Sequence, residues 1–191
     1  ERMVIANATG CSSIYGGTFP TIPYCKRKDG RGPAWANSLF EDNAEYGFGM
    51  RLSIDSNRKM LAYTVDKVLE SGTTPELTEA LNKAEELWAS REEDAIDAQN
   101  AVQAAIPDAI ANATGANSAA LLKLDELKDY FVDKSVWIIG GDGWAYDIGY
   151  GGLDHVAAMG RNVNMLVLDT EVYSNTGGQA SKATPLAAVA K

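Results

Sequence analysis

The 191 residues are 46% hydrophobic, enough to bury a core of their own, and carry 26 acidic against 17 basic side chains for a net charge of -9. That balance excludes a basic surface tracking a nucleic-acid backbone, so any phosphate bound here must be met by local geometry. No run approaches the ~20 apolar residues of a membrane helix, no basic-then-apolar leader opens the chain, and two cysteines with one histidine complete neither a disulfide framework nor a zinc site.

The expectation is therefore a soluble, intracellular and cytoplasmic protein with neither nucleic acid nor membrane as partner. The chain opens on Glu1-Arg2 without an initiator Met and enters the apolar run 3–6 almost at once. It stops at Lys191, inside a stretch (185–190) that reads as a helix just beginning, so both ends suggest a piece of a larger polypeptide.

Residues 1–55 are rich in Gly, Pro, Asn and Ser, with a β-type run at 3–6 and turn signals at Gly16-Gly17 and Lys28-Asp29-Gly30, which predicts a loop-rich segment. Over 56–131 the composition shifts to Ala, Leu, Glu and Lys with helical apolar spacing, which predicts a helical insertion. Leu61, Val65, Val68 and Leu69 share one face of its first helix. A second helix starts near Glu76, either with Thr74 as N-cap and Pro75 at N1 or with Thr73 capping and Glu76 at N3. Its stripe is Leu77, Leu81, Ala84 and Trp88, and the acidic run Glu85, Glu86, Glu92, Glu93 and Asp94 reads as a solvated face. Pro107 is expected to interrupt or end this helix, with a loop or frayed turns over 109–117 and one more short helix carrying Leu121, Leu124, Leu127 and Phe131.

Over 132–191 the pattern becomes a βαβ unit. The apolar runs 136–139 and 164–168 read as parallel strands buried on both faces, joined by a helix over 148–159. The predicted fold class is thus α/β, a parallel sheet with a helical insertion. The C-terminal ends of both strands carry polar residues, Gly140-Gly141-Asp142-Gly143 and Asp169-Thr170-Glu171-Val172, on the edge where open α/β sheets bind ligands. The glycines let the backbone approach a diphosphate, but the Asp142 carboxylate beside it then requires a cation. Mg²⁺ answers that conflict, and Thr170, 28 residues on, is placed to supply a further oxygen.

Strand, Gly-Asp-Gly, helix and second strand resemble the thiamine diphosphate fingerprint, whose usual Asn at the second ligand position is Thr170 here. One branch accommodates that change. The stretches 140–156 and 168–179, together with Ala8-Thr-Gly-Cys-Ser-Ser-Ile-Tyr and Pro33 through Met50, closely resemble the pyruvate:ferredoxin oxidoreductases. The resemblance implies the thiamine diphosphate-binding fold, with Asp142, the Thr170 side chain and the Val172 carbonyl on Mg²⁺. Gly141, Asp142, Gly143 and Trp144, then Thr170, Glu171, Val172, Tyr173, Ser174 and Asn175, would line the diphosphate, and Asn175 would reach the reacting end of the cofactor as the catalytic residue. Cys11 matches a ligand of a 4Fe-4S cluster whose other thiolates are not in this chain, and Cys25 reads as a buried structural thiol. His155 reads as a packing or capping residue.

The activity implied is oxidative decarboxylation of pyruvate to acetyl-CoA, with electrons passed through iron-sulfur clusters to ferredoxin or flavodoxin. Pyruvate and CoA would be bound mostly by the remaining domains of a homodimeric enzyme, and the chain alone would be inactive because the ring-activating glutamate lies elsewhere. The alternatives are a relative acting on 2-oxoglutarate or a branched-chain 2-oxoacid, and a non-catalytic module that only binds thiamine diphosphate.

Overall fold

The computed structural model describes residues 2–15, 26–28 and 30–191, so Cys25 lies outside the described residues. In chain order the elements are β1 (Met3–Ala8), α1 (Cys11–Tyr15), β2 (Ala34–Ser38), α2 (Asn43–Ser71), α3 (Pro75–Glu86), α4 (Glu93–Ala111), α5 (Ala116–Leu127), β3 (Ser135–Gly141), α6 (Tyr150–Ala158), β4 (Asn164–Leu168), β5 (Val172–Tyr173) and β6 (Gln179–Ala180). They divide into two compact units, residues 53–133 and the remainder.

In the unit that holds both chain ends, β2-β1-β3-β4 form a four-stranded, all-parallel sheet, which establishes the expected α/β class. Its core gathers Ala8, Ala44, Ile138, Trp144, Ala145 and Val156. The first turns of α2 pack directly on β1 and β3, because a Cβ on Gly47 would lie 2.4 Å from Ile138 Cγ1 and 3.2 Å from Ala6 Cβ. The fully buried Asn43 ties the same strands together through Nδ2, which donates to the carbonyls of Ala6 (3.2 Å) and Ile139 (3.0 Å).

Four expectations need correction. Residues 43–55 are already helical rather than loop, because Ala44, Gly47 and Arg51 are set by the sheet they cover and not by the Ala/Leu-rich pattern that marks the rest of α2. The two apolar runs are not buried on both faces. In β3 burial alternates, with Val136 and Ile138 inside and Trp137 and Ile139 only partly covered, and β4 is the outer strand of the sheet, with Leu166 39% exposed. Between them the chain first winds a π-helical turn over Gly143–Ile148, and α6 begins only at Tyr150. His155 is exposed in the last turn of α6, a position open to the expected capping role and not to the packing one.

The other unit is all helical, closed around Leu61, Val65, Val68, Leu77, Leu81, Val102, Ile106, Leu121, Leu124 and Phe131. Thr74 caps α3, its Oγ1 accepting from Leu77 N at 3.3 Å, with Pro75 at N1. The expected long helix is two helices. α3 stops at Glu86 because the guanidinium of Arg58 takes the Trp88 carbonyl (2.8 Å) and sits 4.2 Å over its ring, fixing a turn. Pro107 does not end α4, which runs on to Ala111. The missing amide costs about 3 kcal/mol, but burial of Ile106 and Ala109 on either side offsets it. The acidic run is exposed, as expected of a solvated face. Among the described residues no helix is long and apolar enough to cross a membrane.

Candidate functional site

Because β3 and β4 run parallel with Gly141 opposite Leu168, the residues just beyond them leave the sheet side by side. Asp142, fully buried, and Thr170 therefore meet although 28 residues separate them: Oδ1 of Asp142 accepts from the Thr170 amide at 3.3 Å and lies 3.2 Å from Thr170 Oγ1. Thr170 Oγ1 is in turn 3.0 Å from the Val172 carbonyl and 3.5 Å from Ser174 Oγ. One hydroxyl proton cannot serve both the carboxylate and the carbonyl, so Thr170 Oγ1 donates to one of them at a time.

A carboxylate, a hydroxyl and a carbonyl oxygen gathered this closely could serve a cation. Oxygens in neighbouring positions of an octahedron around Mg²⁺, each about 2.1 Å from the metal, lie about 3.0 Å apart. The separations of 3.2 Å and 3.0 Å match that edge. Among the described residues no three His, Cys, Asp or Glu side chains gather as a metal-binding group, but one carboxylate with neutral oxygens and water is the kind of set Mg²⁺ accepts.

Glu171, between Thr170 and Val172, adopts a left-handed conformation (φ 62°) in the turn that brings Thr170 Oγ1 to the Val172 carbonyl, and its amide donates to Asp169 Oδ1 at 2.9 Å. Thr184 Oγ1 donates to the Glu171 carbonyl, and Ser181 Oγ donates to the second oxygen of Asp142. Glu171 itself is exposed.

Gly143, the residue after Asp142, lies under the Tyr173 ring, where a Cβ would come within 2.4 Å of Cε1. The Tyr173 hydroxyl donates to Asp147 Oδ2 at 2.8 Å. Burial first, then that hydrogen bond, then the charges of Asp147, Asp142 and Cys11 push its phenol up to about 12. Tyr146 is likewise pushed up, by burial and then by Asp169. Gly141 closes β3, and the Trp144 side chain is fully buried in the core, which leaves only its backbone to the ligand side.

Beyond Tyr173 the loop reaches Cys11. The Asn175 amide donates to Cys11 Sγ at 3.3 Å, and both residues line a pocket of about 490 Å³ with Phe40, Tyr173, Thr176 and Gln179. Cys11 is buried at the start of α1, whereas Asn175 and Ser174 are exposed. The structure thus brings Asp142, Thr170 and Val172 together in one cluster and Cys11 with Asn175 in the neighbouring pocket. Sequence reasoning missed Phe40, Asp147, Ser181 and Thr184. None of them belongs to the two strand-end motifs, and only the Ser-x-x-Thr spacing of the last two was a local turn signal.

The family described as the C-terminal TPP binding domain of thiamine pyrophosphate enzymes matches residues 84–189. The whole chain is 54% identical over 194 residues to the pyruvate:ferredoxin oxidoreductase of Moorella thermoacetica, covering 16% of that protein. It is 55% identical over 192 residues to the pyruvate-flavodoxin oxidoreductase of Rhodospirillum rubrum, covering 15% of it. It is also 50% identical over 204 residues to a probable pyruvate-flavodoxin oxidoreductase of Escherichia coli, again covering 15%. The chain therefore spans about one sixth of the length of the curated relatives it matches.

Proposed function

The chain belongs to the thiamine pyrophosphate enzymes, as their C-terminal TPP-binding domain, and from that premise we propose that it serves an enzyme oxidising pyruvate to acetyl-CoA with ferredoxin or flavodoxin as electron acceptor. The single observation that carries the reading is the oxygen cluster at the strand ends, where Thr170 Oγ1 lies 3.2 Å from Asp142 Oδ1 and 3.0 Å from the Val172 carbonyl, separations that neighbouring oxygens on Mg²⁺ would also have.

In this reading those three oxygens hold Mg²⁺, and the backbone of Gly141, Asp142, Gly143 and Trp144 with that of Thr170 through Asn175 lines the diphosphate. Neither loop contains a Lys or Arg, so the metal is the only neutralising charge they can offer. Bound thiamine diphosphate supplies the electron sink for cleaving the bond between the keto carbon and the carboxylate. Asn175, at the pocket beyond the metal loop, presents an uncharged amide that can donate to an oxygen gaining negative charge, a contribution larger in the transition state than in the ground state. Tyr173 stays a neutral phenol and shields the loop behind Gly143. Cys11 contributes one thiolate to a 4Fe-4S cluster completed by other parts of the polypeptide. Recognition of the pyruvate carboxylate and of CoA belongs to those parts as well.

The test is calorimetry on the full-length enzyme. Asp142→Ala should weaken Mg²⁺-dependent thiamine diphosphate binding by more than about a hundredfold, beyond what loss of an outer partner costs. Near-normal affinity would remove the metal assignment.

A further inference from the structure

Two side chains that touch neither the proposed metal nor the diphosphate hold the cluster from behind. Ser181 Oγ accepts the Ala183 amide at 3.1 Å, which leaves its own proton for Asp142 Oδ2. Thr184 Oγ1 accepts the Ser181 amide at 2.9 Å, which leaves its proton for the Glu171 carbonyl. The Thr184 amide returns to the Ser181 carbonyl at 3.1 Å, closing the turn that carries both hydroxyls. A carboxylate and a carbonyl have no proton to give, so each hydroxyl must donate in these bonds while the turn's amides occupy an acceptor site of each.

These two contacts fall where the cluster needs them. Asp142 is fully buried, and with Oδ1 turned to Thr170, the Ser181 hydroxyl on its other oxygen keeps the carboxylate plane from rotating. Glu171 is held at φ 62°, a region that residues with a side chain rarely occupy, and this twist brings the Thr170 hydroxyl to 3.0 Å from the Val172 carbonyl. We propose that Ser181 and Thr184 are positioning residues of the Mg²⁺ site, Ser181 orienting the Asp142 carboxylate and Thr184 locking the left-handed Glu171 that aligns the other two oxygens.

The proposal rests on the metal reading above, and the experiment separates the two. In full-length enzyme at saturating thiamine diphosphate, Mg²⁺ affinity is titrated calorimetrically for Ser181→Ala, Thr184→Val, Thr184→Ser and Asp142→Ala, with the Tm of each metal-free protein alongside. Ser181→Ala and Thr184→Val should each weaken Mg²⁺ by about tenfold or more, the range for partners of metal ligands, while the metal-free Tm holds. Thr184→Ser, which keeps the hydroxyl, should restore affinity. If Asp142→Ala loses the metal but Ser181→Ala and Thr184→Val bind it normally, or if Thr184→Ser is as weak as Thr184→Val, the positioning role is overturned and the metal site stands. Normal binding by Asp142→Ala removes both.

Discussion

Tyr173 shows how much one side chain can report about its loop. Its ring covers Gly143 and lies 6.3 Å from that of Phe40, while its hydroxyl is bound to Asp147. The phenol is shifted from 10.0 to about 12, so the folded state favours the protonated form. Its contribution is therefore complete below pH 10.0 and is lost as the pH rises through about 12. Tyr173→Phe should lower stability by about 1.5–3 kcal/mol at neutral pH, the worth of a hydrogen bond to a carboxylate. Thermal melts of variant and parent should converge as the pH passes 10.0 towards 12, and a gap that persists there would place the effect in packing instead. The sequence placed Tyr173 in the loop but could not identify its partner, because Asp147 sits on a π-helical turn that no apolar periodicity announces.

Among the elements, local signals were readable and tertiary ones were not. Thr74 with Pro75, the stripe Leu77, Leu81 and Ala84, and the set Leu121, Leu124 and Leu127 are written in neighbouring residues, and each is found capped or buried as that pattern requires. The end of α3 is written in Arg58, some thirty residues upstream, which is why one helix was expected where two exist. Pro107 is the opposite case, a strong local breaker overruled by burial of its neighbours. It is exposed inside α4, and Ala in its place would give the Gln103 carbonyl an amide partner at no cost in packing. Pro107→Ala should raise stability by about 3 kcal/mol, less up to about 1 kcal/mol for the freer unfolded chain. A lowered Tm would show that α4 is shaped around the proline.

At the scale of the whole molecule, the site was legible where two motifs end adjacent strands and illegible where a later turn folds back on them. Asp142 and Thr170 could be paired from the βαβ pattern alone, whereas Ser181 and Thr184 reach them only through the β5–β6 hairpin. In the proposed reading Cys11 would need partners outside this sequence, since a 4Fe-4S cluster takes four ligands and the sequence has two cysteines. In the full-length enzyme Cys11→Ala should remove about four iron atoms per subunit while the remaining clusters persist, and an unchanged iron count would end its role as a ligand. The register that sets Gly141 opposite Leu168 also decides which changes of length the protein can survive. One residue inserted into β3 or β4 would displace its loop by about 3.3 Å and turn every later side chain to the opposite face, scattering the oxygens. Whole helical turns added to α6 would leave both strand ends where they are. Insertions and deletions should therefore gather between Tyr150 and Val163, and the 28 residues from Asp142 to Thr170 are a measure of the crossover, not of the chemistry.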